Sequence, residues 1–147
     1  MKTMKYFLMA LMFVLPMTSC DSDDDVVINE ADLPVAAQTF LSEHFSGVKV
    51  SRVEKDKETN GQRFDVLLAD GTEVEFDQDG SWTEVDCTPK AVPNAIIPEA
   101  IGNYVRTNYP DLLIVQIERE SYGYEIDLSN DLDIKFDNQY KVIRIGN

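Results

Sequence analysis

The chain has 147 residues, with 27 Asp and Glu against 13 Lys and Arg and a formal charge of −14 at pH 7. That balance excludes nucleic acid as a partner, because phosphate binding needs clustered Lys and Arg, and it disfavours anionic lipid headgroups. The length suits a single domain able to bury more than about 60 % of its unfolded surface.

The N-terminus reads as a targeting segment. Lys2 and Lys5 precede an apolar run from Tyr6 to Leu15, which is shorter than the roughly 20 residues a membrane-spanning helix needs. Met17-Thr18-Ser19-Cys20 resembles the lipobox of bacterial lipoproteins, with Met17 and Ser19 in place of the usual Leu and Gly or Ala. Residues 1–19 are therefore expected to be a lipoprotein signal peptide and Cys20 the site of lipid attachment; the alternative is a plain secretory peptide with an incidental cysteine. Each buried acyl CH₂ contributes about 0.8 kcal/mol, and more than one chain makes anchoring stable. Removing residues 1–19 leaves 11 basic against 27 acidic residues. Residues 20–32 form an acidic tether that begins Asp21-Ser22-Asp23-Asp24-Asp25. Like charges extend such a segment, and it also resembles the acidic export signal of surface-exposed lipoproteins. Its reach from Asp21 to Asp32 is at most about 40 Å. Cys87 is then the single remaining thiol and is expected to be buried and inert.

From Phe40 onward the chain matches itself. Phe64, Val66, Leu68, Val74, Phe76 and Val85 recur 60 positions later as Tyr124, Ile126, Leu128, Ile134, Phe136 and Ile145. Upstream the offset is 64, pairing Phe40 with Tyr104 and Phe45 with Tyr109, so the length difference falls in a loop, where it is tolerated. Ala37, Phe40, Leu41 and Phe45 share one helical face, with Asp32 available as N-cap and Pro34 near the start. Ile97, Ile101, Tyr104, Val105 and Tyr109 form the matching stripe, which Pro98 breaks into a short turn and the main helix and Pro110 ends. Alternation in "FDVLLAD" and "TEVEFDQ" reads as a hairpin, with Asp70-Gly71 as a two-residue turn whose central residues both take positive φ. Asn130-Asp131 is the weaker equivalent. A phase slip between Val50 and Val53 predicts a β-bulge. The expected fold class is α+β: a tandem repeat of a helix plus a four-stranded antiparallel sheet, eight strands in total, spanning 33–87 and 88–147. The helices pack on one sheet face, and the other face is acidic and outward.

These segments, "LPVAAQTFLSEHFSGVKVSRVE", "FDVLLADGTEVEFDQDGSW" and "VPNAIIPEAIGNYV" with the strands after it, resemble the PepSY-like family of bacterial envelope lipoproteins. The shared features are the Leu-Pro or Val-Pro helix start, the helix end and the Asp-Gly hairpin that closes on Phe-Asp. The resemblance implies a fold like that of the secreted beta-lactamase inhibitor protein and, by comparison with PepSY domains, restraint of a peptidase. No inhibitory residue can be transferred. Asp131 and Tyr140 stand where the first half has Gly71 and Gly80, which predicts remodelled hairpins in the second half.

No catalytic residue is identified. His44, the single histidine, is matched by Asn108 and reads as a helix-end residue with a local hydrogen bond rather than a general base. "DKETNG", 56–61, imitates the first half of a calcium loop, but Leu67 occupies the position of the bidentate Glu. No metal site and no cofactor are expected. If Thr83, Val85, Ile143 and Ile145 face the core, Trp82 points outward near Leu67 as a partner anchor; the alternative is that Trp82 closes the edge of the core. Tyr122 and Tyr140 at hairpin tips are further candidates. The reading is a non-catalytic, monomeric outer-membrane lipoprotein, facing the periplasm or the cell surface. It touches the membrane through its lipid alone and binds a protein or peptide with a basic surface, and inhibition of a hydrolase is one form of that role. The alternatives are a structural or accessory lipoprotein of an envelope assembly and a weak cation binder.

Overall fold

The computed structural model describes residues 26–56 and 63–146. A two-residue strand, β1 (Val26–Val27), leads through a 3₁₀ turn to helix α1 (Val35–His44) and strands β2 (Val50–Asp56), β3 (Arg63–Leu68), β4 (Glu73–Asp77) and β5 (Trp82–Asp86). Helix α2 (Glu99–Asn108) follows, then β6 (Ile114–Glu120), β7 (Gly123–Leu128), β8 (Asp133–Asp137) and β9 (Val142–Gly146).

The expected architecture is corrected here. The strands form one nine-stranded antiparallel sheet in sequential order, not a tandem repeat of separate four-stranded sheets with eight strands. Two features overturn the expectation. β5 pairs directly with β6, Val85 opposite Ile117, so the halves share one sheet. Val26 and Val27 pair with Lys55 and Glu54 and add a first strand.

Both helices cover the same face. Val74, Val85, Ile117, Ile126 and Ile134 lie in one cross-strand row and are all buried. Phe40 of α1 meets Phe76 edge-on at 5.6 Å, and Tyr104 of α2 meets Phe136 at 5.5 Å, a geometry aromatic pairs prefer. One contiguous core runs from Leu33 to Phe136. Helix α1 starts on Pro34 rather than on an Asp32 cap; Asp32 instead accepts from the Asn29 backbone amide at 3.2 Å in the preceding turn. Helix α2 starts on Pro98 and gives way to Tyr109 before Pro110. The predicted bulge is present as a register shift between Val50 and Arg52, and another lies between Ile114 and Gln116.

The second-half hairpins are not remodelled. The amide of Gly71 bonds Leu68 O at 3.0 Å, and that of Asp131 bonds Leu128 O at 2.9 Å; Leu68 and Leu128 then donate across to Thr72 O and Leu132 O. Of the Asp70-Gly71 pair, Gly71 takes positive φ and Asp70 does not. The turn is thus a three-residue loop ending in one left-handed residue, a conformation Asp131 adopts at φ 65°. Asp tolerates that region better than most residues because its side chain bonds locally.

Candidate functional site

The face opposite the helices carries the charge. From β2 to β7, Glu54, Asp65, Glu75, Glu84, Glu118 and Glu125 stand directly opposite one another on successive strands. Alternation within each strand sends the acids to this face, and the antiparallel register aligns them into one row. The row then changes sign, with Lys135 opposite Glu125 and Arg144 opposite Lys135. A second row contains Glu73 opposite Asp86 and Asp127 opposite Asp133. Like charges directly opposite are destabilising unless a base or a hydrogen-bond donor lies between them.

Ion pairs sit at both ends of the first row. Arg52 bonds the buried Glu54 carboxylate, and Arg63 reaches Asp56, Asp65 and Glu75 at 3.5, 3.5 and 3.3 Å. At the far end, Lys135 Nζ donates to Glu125 Oε2 at 2.5 Å, and the Tyr122 hydroxyl donates to the same oxygen at 3.0 Å. Glu125 holds the Lys135 ammonium well above its ordinary range. Burial pushes the Tyr122 hydroxyl up. At the centre, Gln116 Nε2 donates to Glu84 Oε1 at 2.6 Å. Burial, together with the charges of Asp86 and Glu75, raises the Glu73 carboxyl.

Carboxylate oxygens of Glu118, Glu120 and Glu125 come within 4.8 Å of one another, close enough to share a hard cation. The open depression beside them, between Gln116, Glu118, Glu125 and Asp127, holds about 40 Å³. A small-molecule pocket needs about 300–1,000 Å³, so this part of the face suits an ion or a protein surface.

The candidate residues read from sequence do not gather. Trp82 is a correction: it is 7 % exposed and belongs to the core. Phe76 pairs with Trp82 while Glu75 pairs with Glu84. The extra residue, Thr83, flips the phase of the strand, so Trp82 and Val85 both face inward. Its ring lies 6.2 Å from Phe40, and the Arg119 guanidinium sits 3.9 Å over it. Ile143 and Ile145, expected in the core, are 56 % and 47 % exposed: Ile143 is the extra residue of an equivalent bulge, and Ile145 lies on β9 at the sheet edge. Leu67 is half-buried in the second row between Arg52 and Glu73. Tyr122 belongs to the Lys135–Glu125 cluster. Tyr140, in the left-handed region at φ 60°, stacks on Tyr124 at 5.7 Å. His44 ends α1 with its ring 4.6 Å from Phe40. Cys87 is buried, which pushes its thiol up. Cys20 and the loop 57–61 lie outside the described residues. Arg119 and the acidic row were missed. The alternating acids were visible, but their alignment depends on register.

The fold is thus an open antiparallel sheet with both helices on one face and charged side chains on the other. The sequence profile of the PepSY-like family, described as "Putative beta-lactamase-inhibitor-like, PepSY-like", matches residues 62–144. The chain belongs to that family. It is similar to a "putative periplasmic protein" of the DUF2874 family from Bacteroides vulgatus ATCC 8482, with 45 % identity, 86 % of this chain and 100 % of that chain covered, and a TM-score of 0.82. A "putative calcium-regulated periplasmic protein" from Bacteroides thetaiotaomicron is 43 % identical over 85 % of this chain and 98 % of that one, also at TM-score 0.82. A third structure, a "putative periplasmic protein of unknown function" from Bacteroides vulgatus ATCC 8482, is 40 % identical over 84 % and 100 %, at TM-score 0.81. No functionally curated protein matches. Among the described residues no helix is long and apolar enough to cross a membrane.

Proposed function

We propose that this is a non-catalytic envelope protein, tethered to the outer membrane through lipidated Cys20, whose acidic sheet face receives the basic surface of a protein or peptide. The row from Glu54 to Glu125 carries the reading. Neighbouring carboxylates in the row repel, and a cationic partner lowers that repulsion on binding. The periplasmic description of the relatives supports an envelope location, and the inhibitor-like family description supports a hydrolase as the partner. The test is crosslinking in intact envelopes with the combined substitution Glu84→Gln, Glu118→Gln and Glu125→Gln. Loss of a salt-sensitive adduct supports the face; an unchanged adduct removes it. Cys20→Ser should release the protein into the soluble fraction if the anchor is correct.

A divalent cation is the second reading, favoured by the approach of Glu118, Glu120 and Glu125 and by the calcium regulation named for the Bacteroides thetaiotaomicron relative. Lys135 already neutralises Glu125, so an ion must compete with it. Calorimetric titration with CaCl₂ decides: heat abolished by Glu120→Gln supports this reading, and absence of heat ends it.

A further inference from the structure

The two edges of the sheet are unlike each other. Among the described residues β1 contributes two, whereas β9 runs for five; its Ile143, the extra residue of a bulge, and its Ile145 are exposed on either side of Arg144. Long apolar edges are a pairing hazard that sheets normally shorten, cover or charge.

β5 shows what β9 lacks. Val85 and Ile145 hold the same place in the register, opposite Val74 and Ile134. Val85 is fully buried, with Ile117 of β6 opposite it on its other side. Ile145 is 47 % exposed, because no described strand follows β9. Its inner neighbour Ile134 is fully buried, so the core row reaches the edge and stops with its last side chain half in water. An added strand would cover Ile145 as β6 covers Val85.

Charge specifies the occupant. Where β5 presents Glu84 to its neighbour, β9 presents Arg144, preceded by exposed Lys141. A complementary strand therefore sets a carboxylate opposite Arg144 and a branched apolar residue opposite Ile145. A second copy of this chain fits poorly. Its long edge is another β9, so pairing would bring two sets of Lys141 and Arg144 together between chains of net charge −14. Its β1 has two described residues.

We propose that β9 is a strand-addition site for an extended acidic segment of a partner protein, pairing antiparallel with Arg144–Gly146, the equivalents of the β5 residues that pair with β6, through backbone hydrogen bonds, with alternating side chains read by Arg144 and Ile145. This goes beyond the acidic face and selects the opposite charge, so failure of either leaves the other standing.

The test is fluorescence anisotropy of a labelled synthetic peptide of alternating Glu and Val, titrated with the full chain in detergent, with an alternating Lys and Val peptide as control. Saturable binding of the Glu peptide, weakened about tenfold or more by Arg144→Glu and by Ile145→Pro, is expected. Unchanged Trp82 emission in both variants shows that the fold is intact. Absence of saturable binding, or equal binding by the intact Arg144→Glu variant, overturns the proposal. So does a dimer that Ile145→Pro dissociates, because the edge would then belong to a second copy. Retained binding of the Lys peptide by Arg144→Glu, alongside loss of the Glu peptide, supports the edge as a separate site.

Discussion

Glu84 of β5 and Glu118 of β6 lie directly opposite each other on the strand pair that joins the two halves of the sheet. Like charges so placed oppose the pairing of the two strands. Glu118→Gln is expected to stabilise the protein by about 0.2–1 kcal/mol at low salt. The gain should shrink at high salt as screening weakens the repulsion. Urea denaturation at two salt concentrations measures it, and a loss of stability at low salt would contradict it.

Glycine is required at position 80. At φ 80° an added Cβ would lie 2.7 Å from Pro34 Cβ and 2.9 Å from the Ala37 amide nitrogen, where α1 crosses the turn. Gly80→Ala should cost more than about 2 kcal/mol, combining left-handed strain with overpacking. Tyr140 holds the equivalent turn position, its amide bonding Asp137 O at 2.9 Å as the Gly80 amide bonds Asp77 O at 3.0 Å. Tyr140→Gly relieves roughly 1 kcal/mol of backbone strain and forfeits a ring stack of similar worth. Its midpoint should barely move.

Trp82 should report on folding rather than on binding. Trp82→Ala is expected to cost about 3–5 kcal/mol, as for other large core truncations. Arg119→Ala loses a cation–π contact worth about 0.5–1 kcal/mol and should change the emission of the single tryptophan. Wild-type stability in Trp82→Ala would contradict the buried placement.

Two carboxylates should give opposite pH signatures. Lys90 donates to Asp70 Oδ2 at 2.5 Å and holds the Asp70 carboxyl below its usual value. Its contribution is therefore present at neutral pH and lost as pH falls through the lowered value. Asp70→Asn should destabilise at pH 7 by about 0.2–1 kcal/mol, as for exposed pairs, and match wild type in strong acid. Glu73 is raised by burial first and by neighbouring acids second, so its ionised form opposes folding. Stability is lost as pH rises from the unfolded to the folded value of Glu73. Glu73→Gln should stabilise at pH 7 and have no such advantage below the carboxylate range. Denaturation midpoints across pH 3–7 separate the two variants, and parallel curves would refute the assignment.

Much of the local structure was legible in the residues. Ala37, Leu41, Ile101 and Val105 are buried on the helical stripes their spacing predicts, and the Val50 bulge follows from a phase slip. Alternation also separated apolar from acidic positions within each strand. Trp82 and Ile143 were misplaced because a bulge inserts one residue, and the parity of every position beyond it reverses. Nothing in "DQDGSWTEVD" marks that insertion; the pairing of Phe76 with Trp82 does. The hairpin turns were expected to differ because Gly71 and Gly80 are replaced by Asp131 and Tyr140. They do not, because the same backbone hydrogen bonds outweigh the modest cost of a left-handed Asp or Tyr.

The amino-acid sequence by itself determined the two helices, the strands from β2 to β9, which side of most strands is acidic, and the family, because those follow from periodicity and side-chain chemistry along the chain; β1 was not among them. Tertiary structure decided the rest: whether two sheets form or one, which acids face one another, and that Ile145 ends up at an edge while its counterpart Val85 is sealed. Those outcomes depend on pairing between β5 and β6, and strand pairing is settled by contacts between residues distant in sequence that no local pattern encodes.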